Sequence, residues 1–240
     1  AFDANVHVLT LYASHDEALL ALRDHARHAG AATEGLHLDI RFTGSVDAIR
    51  ALNEGRCVMA GFHTLVGADK KSLTERAYKP LLQPGLHKLI GFAQRSQGLM
   101  VPRGNPMRLG NLRNVAQQGL RFATRTKGSG TRVVLDELLA GEGLAAQDLG
   151  GDAFCEPSHA AVAQAVASGQ CDAGLGIAAA AEAADLDFVP LAHERYHLVC
   201  LKSALSQPGV QTLLQTLQGR EWQDQIAGIS GYRAQDSGRV

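Results

Sequence analysis

Short apolar runs alternate with capped, amphipathic segments from the start of the chain, and that alternation leaves few folds open. Val6–Leu11 is apolar almost throughout, as a strand covered on both faces must be. Ser14, with Glu17 three residues on, makes a capping-box pattern before a helix over Ala18–Ala29, so Ser14 is expected as its N-cap. Leu36–Phe42 reads as a second strand. Thr43-Gly44-Ser45 ends it and caps a helix with Val46, Ile49 and Leu52 on one face. Gly55 closes that helix, and Cys57–Ala60 opens a third strand. The order β-α-β-α-β calls for parallel strands joined by crossover helices.

Further along, Lys70–Pro84 reads as polar and irregular. Leu89–Phe92, Gly98–Val101 and Leu120–Thr124 read as strands, and Thr131–Ala140 as a helix with Val134, Leu135, Leu138 and Leu139 on one face. Ser158 caps a helix over Ala160–Ala167, and Cys171–Ile177 is a glycine-rich strand. Phe188–Leu191 and Tyr196–Leu201 are late strands before a helical region over Val210–Ile226. Sliding the chain by 114 residues lays Gly55-Arg56-Cys57 on Gly169-Gln170-Cys171, Ile49 and Leu52 on Ala163 and Val166, and Ser45 on His159. The echo implies two lobes sharing one helix–strand unit, and two such lobes facing each other would make a cleft.

Composition excludes several classes. Over 240 residues, 23 Lys+Arg against 24 Asp+Glu leave no polybasic nucleic-acid arm and no acidic tail. No apolar run approaches the ~18 residues a membrane span needs, so no membrane partner is expected. Cys57, Cys155, Cys171 and Cys200 form no CxxC pair and have no metal-ligand spacing, which suits free thiols in a reducing, cytoplasmic setting. His25 and His28 fall on the polar side of a helix, and no metal is expected there.

The strand–Ser–helix junctions at Ser14, Ser45, Ser129 and Ser158 carry the chemistry. A helix start offers unpaired N–H groups and partial positive charge, and in open parallel sheets ligands gather at such strand ends. In Thr124–Arg132, glycines allow close backbone approach while Arg125, Lys127, Ser129, Thr131 and Arg132 can donate hydrogen bonds, so the segment reads as an anion-binding loop. It is no GxxxxGK[ST] loop, because Gly130 is followed by Thr131. It is no dinucleotide fingerprint, because Val133 holds the third glycine position. His63, just past a strand, and His159, at a helix start, are further donors. With no GxSxG, SxxK or HExxH motif, the chain is expected to bind rather than catalyse.

Leu11–Asp16, Thr43-Gly44-Ser45, Gln97-Gly98-Leu99, Gly104-Asn105-Pro106, Lys127–Arg132, Asp172–Gly176, Asp187–Pro190 and Glu194-Arg195-Tyr196 together resemble the type II periplasmic-binding-protein fold. They are closest to the substrate-binding domains fused to helix-turn-helix regulators and to molybdenum-cofactor proteins. The resemblance implies an α/β chain of two lobes, 1–94 with 197–240 and 95–196, each a mostly parallel sheet flanked by helices, joined by two crossover strands. It implies an oxyanion such as molybdate or tungstate in the interlobe cleft, with no other cofactor. Ser14, Ser45, Ser129 and Tyr196 would fill hydroxyl roles. Gly128, Gly130, Thr131, Ser158, His63, His159, Arg95 and Lys127 complete the candidate set. Phe62 stands where regulator-type relatives commonly show a small residue before His, so it either narrows the cleft or turns away. Arg95, Arg125 and Lys127 bring more charge than a neutral oxyanion site needs, which keeps a small organic anion in view. The expected role is effector sensing for a bacterial transcriptional regulator that reaches DNA through a domain absent from this chain, with a homodimer as the usual assembly. The alternative is a solute-binding protein of an ABC-type anion transporter.

Overall fold

The computed structural model describes residues 6–29, 35–67 and 73–240. The chain is α/β and divides into two compact units. The first comprises Ala1–Thr64, Ala77–Gln94 and Arg195–Val240, the second Leu65–Arg76 and Arg95–Glu194.

In the first unit, β1 (Val6–Ala13) pairs in parallel with β2 (Gly35–Phe42) and β3 (Met59–Leu65). The crossovers are α1 (Glu17–Ala29) and α2 (Ser45–Asn53). α1 buries Ala18, Leu19, Leu22 and Ala26, and α2 buries Ala48, Ile49, Ala51 and Leu52, the helical spacing of one apolar face. Asp16, rather than Ser14, caps α1: its Oδ1 accepts from the backbone N–H of Ala18 at 2.8 Å and of Leu19 at 3.3 Å. A carboxylate here also meets the positive end of the helix dipole. Gly44 holds the cap position of α2 without a side-chain bond, so Ser45 is the first helical residue and not the cap.

The segment expected to be irregular contains a short helix, α3 (Leu73–Tyr78); residues 70–72 of it lie outside the described set. Tyr78 is buried against Phe62, ring centroids 4.9 Å apart. The two strands expected over Leu89–Phe92 and Gly98–Val101 are one, β4 (His87–Val101), which runs out of the first unit into the second.

The second unit repeats the plan of the first. α4 (Leu112–Gln117) precedes β5 (Phe122–Arg125), α5 (Gly130–Gly141), β6 (Cys155–Glu156), α6 (His159–Ala167) and β7 (Ala173–Ile177). β5 pairs in parallel with β6 and β7, while β7 runs antiparallel to β4. The core of this unit gathers Leu99, Leu112, Val115, Phe122, Leu135, Leu139 and Leu175. After α7 (Ala178–Ala183), β8 (Asp187–Leu201) joins the two late strands expected separately and returns to the first unit. The chain ends with α8 (Pro208–Gln218), α9 (Arg220–Ala227) and β9 (Tyr232–Arg233), which pairs with β4. Gly219 breaks the single helical region expected there, and Trp222 of α9 stacks on Phe92 at 5.9 Å.

Candidate functional site

Each unit gathers buried polar groups where its parallel strands end. In the first, Ser14 follows β1, Ser45 opens α2 and His63 lies in β3. The Ser45 hydroxyl donates to Ser14 Oγ at 3.3 Å, and Ser14 Oγ stands 3.5 Å from His63 Nδ1. His63 Nε2 is 3.8 Å from Asp16 Oδ2, which accepts the Tyr232 hydroxyl at 2.8 Å. Tyr196, on β8, stacks on His63 with centroids 3.9 Å apart. Gly61 makes room for it: a Cβ there would lie 2.6 Å from the Tyr196 hydroxyl. Strand alternation sends Phe62 to the opposite face, into the core with Tyr78 and His197, so it turns away from the serine cluster. Freed from capping, Ser14 is thus the centre of a hydroxyl–imidazole cluster with Ser45, His63 and Tyr196.

In the second unit, the register Arg125↔Glu156 sets the ends of β5 and β6 side by side, which brings two helix starts together. Ser129 caps α5, accepting from the Arg132 N–H at 3.2 Å, and Ser158 caps α6, accepting from the Ala161 N–H at 3.0 Å. Gly128 has φ 86°, the left-handed turn that aims the loop into α5, and Gly130 is the first residue of that helix. Thr131 Oγ1 and His159 Nε2, from the first turns of the two helices, are 3.4 Å apart.

Charge sorts the basic residues of this unit. Arg95 is buried and its Nε donates to Glu194 Oε2 at 2.6 Å, which neutralises it within the fold. Gln97 Nε2 donates to the same Glu194 oxygen at 2.8 Å and to Thr131 Oγ1 at 3.3 Å. Lys127 is 74% exposed and pairs with Asp152 at 2.7 Å; Arg132 pairs with Asp152 and Asp136. Arg125 is different. It is 5% exposed, its Nε has no hydrogen-bond partner, and no acidic side chain pairs with it among the described residues. Burial, and then the charge of Arg95, lower its pKa to about 10, so it remains a cation at neutral pH. Burying a charge without a counter-ion costs several kcal/mol, and an anion supplied from outside removes that cost.

The candidate residues therefore fall into two groups. Ser14, Ser45, His63 and Tyr196 come together in the first unit, while Arg95, Thr131 and His159 belong to one polar cluster in the second, and Ser129 caps the helix that carries Thr131. Ser158, Gly128 and Gly130 shape its helix starts, and Lys127 stands in solvent. Sequence reasoning counted Arg125 among loop donors without singling it out, and gave Gln97 and Glu194 no role beyond their place in the resemblance. Among the described residues no His/Cys/Asp/Glu group could hold a metal ion, and no helix is long and apolar enough to cross a membrane.

This arrangement, parallel α/β units with anion-ready strand ends, is that of a ligand-binding protein of the periplasmic-binding-protein class. A family profile described as a PBP superfamily domain matches residues 26–218, and the chain belongs to that superfamily. It is 30% identical over 200 residues, 83% of its length, to the uncharacterized protein YvgK of Bacillus subtilis (strain 168), and spans 64% of that protein. The tungstate ABC transporter structure from Geobacter sulfurreducens is similar in fold, with TM-score 0.66 and 12% identity over 92% of this chain and 98% of that one. So is the PA01 protein of Pseudomonas aeruginosa, assigned to the LysR family of transcriptional regulators, with TM-score 0.59 and 16% identity over 88% and 73%. The superfamily and these neighbours are binding and sensor proteins, and they include both transporter receptors and regulator domains.

Proposed function

We propose that this chain is a ligand-binding domain whose ligand is a small oxyanion, taken up in the second unit on Arg125 together with the starts of α5 and α6. The observation that carries this reading is the buried Arg125 guanidinium, with no acidic partner among the described residues and an unpartnered Nε. The same unit supplies donors of the kind an oxyanion needs: the N-termini of α5 and α6, the hydroxyls of Ser129 and Thr131, and the imidazole of His159. Tungstate and molybdate are the first ligands to try, in keeping with the sequence resemblance and the tungstate-binding neighbour.

The role we favour is effector sensing in a bacterial transcriptional regulator, with DNA contacted by another part of the native protein. The four cysteines are free thiols, and three of them are buried, which suits a reducing, cytoplasmic setting. A solute receptor for an ABC-type transporter is the second reading, supported by the tungstate neighbour. Fractionating cells that express the full-length protein separates the two: cytosolic recovery supports the sensor, and periplasmic recovery overturns it.

Thermal unfolding with tungstate, molybdate, sulfate, phosphate and small carboxylates tests the binding function. A ligand at ~100 times its Kd adds about 2.7 kcal/mol, a melting shift of roughly 5–10 °C for a chain of this size. A shift with any of these anions supports the reading, and no shift across the set overturns it.

A further inference from the structure

The first unit holds a cavity of about 240 Å³ between the neighbouring strands β4 and β8 and the residues at the end of the chain. Strand alternation turns Leu89, Gly91 and Ala93 of β4 to one face, and these three make an apolar floor. The facing wall is fixed by backbone bonds. The Gly91 N–H donates to the Arg239 carbonyl at 2.9 Å, and the Gly238 N–H donates to the Gly91 carbonyl at 2.8 Å. Gly91 permits this close approach, because a Cβ there would lie 2.1 Å from the Asp236 carbonyl oxygen. Leu89 is 43% and Val240 56% exposed, so two large apolar side chains left in solvent border this one cavity.

Its polar side carries surplus positive charge. Arg239 pairs with Asp236 at 3.5 Å, whereas Arg195 pairs with no acidic side chain among the described residues. Burial, with the charges of His63 and Arg195, lowers the His197 pKa to about 4, so this lining imidazole adds no charge at neutral pH. Tyr196 turns its ring to His63, and the alternation of β8 sends Arg195 and His197 the other way, towards the cavity. Within Glu194-Arg195-Tyr196, Arg195 is thus the member that neither the core nor a polar cluster uses.

We propose that this cavity is a second binding site, for small carboxylates with an apolar body. The carboxylate meets the Arg195 guanidinium, whose planar fork matches it, and the body lies on Leu89, Ala93 and Val240. A bare inorganic oxyanion is polar on every side and would press oxygens without donors against that floor. The volume falls below the ~300–1,000 Å³ of sites for drug-sized ligands, which sets the body at a short chain or a single ring. Every lining residue belongs to the first unit, so the site does not rest on the reading of Arg125.

The test is titration calorimetry at neutral pH with hexanoate, acetate and hexan-1-ol. Hexanoate is expected to bind at least roughly tenfold more tightly than either, because acetate lacks the apolar body and the alcohol lacks the charge. Arg195→Gln, at an exposed position, should weaken hexanoate binding roughly tenfold or more, while Arg125→Met should leave it as in the wild type; circular dichroism checks that both variants fold. Three results overturn the proposal: no saturable binding of hexanoate, acetate matching hexanoate, or an affinity unchanged in Arg195→Gln. Hexanoate binding lost in Arg125→Met and kept in Arg195→Gln places the ligand in the second unit and overturns it as well. Binding that survives Arg125→Met and falls in Arg195→Gln supports this site whatever the inorganic anions do.

Discussion

Ser45 and His159 hold the same place in two copies of one structural unit. Each is the first residue of a nine-residue helix, α2 and α6. Each helix is followed by a glycine in the left-handed region, Gly55 at φ 71° and Gly169 at φ 74°, and then by a buried cysteine, Cys57 or Cys171. The strands that follow begin at Met59 and Ala173, so the displacement of 114 residues holds from helix start to strand start. A repeated βαβαβ unit places a helix N-terminus at an equivalent strand end in each unit, with a hydroxyl in one copy and an imidazole in the other.

Ser129→Ala removes the side-chain cap of α5 and a hydroxyl from the proposed site. The expected cost is about 1 kcal/mol of folding stability, together with weaker anion binding. Urea denaturation and anion titration of the same protein measure both; unchanged affinity would take Ser129 out of the ligand's reach.

Gly98→Ala would bring a Cβ to 2.1 Å from the Val189 carbonyl oxygen and 2.8 Å from Pro190 Cα, both backbone atoms that cannot swing aside. A loss of ~2 kcal/mol or more is expected, at the upper end for overpacking. Gly55→Ala meets nothing within 4 Å and loses only the ease of its positive φ, about 1 kcal/mol. Denaturant midpoints of the two variants give the comparison, and equal losses would contradict it.

His197 supplies a pH dependence. Burial, and then the charges of His63 and Arg195, lower its pKa from 6.5 to about 4, while Asp236 acts weakly the other way. Between these values the unfolded chain binds the proton and the folded chain does not. Stability is therefore full above about pH 6.5 and falls as the pH drops towards 4, by on the order of 2–3 kcal/mol. His197→Gln should flatten this part of the stability–pH curve, although Thr64 then loses its 3.0 Å partner. A slope unchanged by the substitution would assign it to other groups.

Of the four thiols, Cys155 is exposed while Cys57, Cys171 and Cys200 are buried, and burial raises the pKa of all three, that of Cys200 to about 11. Native protein should react with a thiol reagent at one cysteine and denatured protein at four. Two or more fast-reacting thiols in the native state would contradict the packing of α2, β7 or β8.

Much of the fold was legible in the sequence because local rules and tertiary packing agree. The caps at Ser129 and Ser158 and the helix–Gly–x–Cys repeat needed only short-range patterns. The long strands β4 and β8 each look like two pieces in the sequence because polar residues interrupt their apolar runs at Arg95 and Glu194. Those two side chains neutralise each other, so the charges remain inside a continuous sheet. Ser14 satisfied the capping pattern, yet Asp16 lay nearer the helix and took the role, which released the serine hydroxyl to its cluster. The weight of Arg125 was hidden for a related reason. Sequence shows five donors in one loop, but only the fold separates the exposed Lys127 and the carboxylate-paired Arg132 from the buried cation beside them.

The central claim is tested most directly by thermal unfolding of wild-type protein and Arg125→Met, each with and without the anion that shifts the wild type most. Without ligand the variant should be at least as stable as the wild type, because methionine removes a buried, uncompensated charge at similar length. With ligand the wild type should gain roughly 5–10 °C near saturation and the variant almost nothing. A variant that keeps the full anion-induced shift would contradict the account and place the ligand away from Arg125.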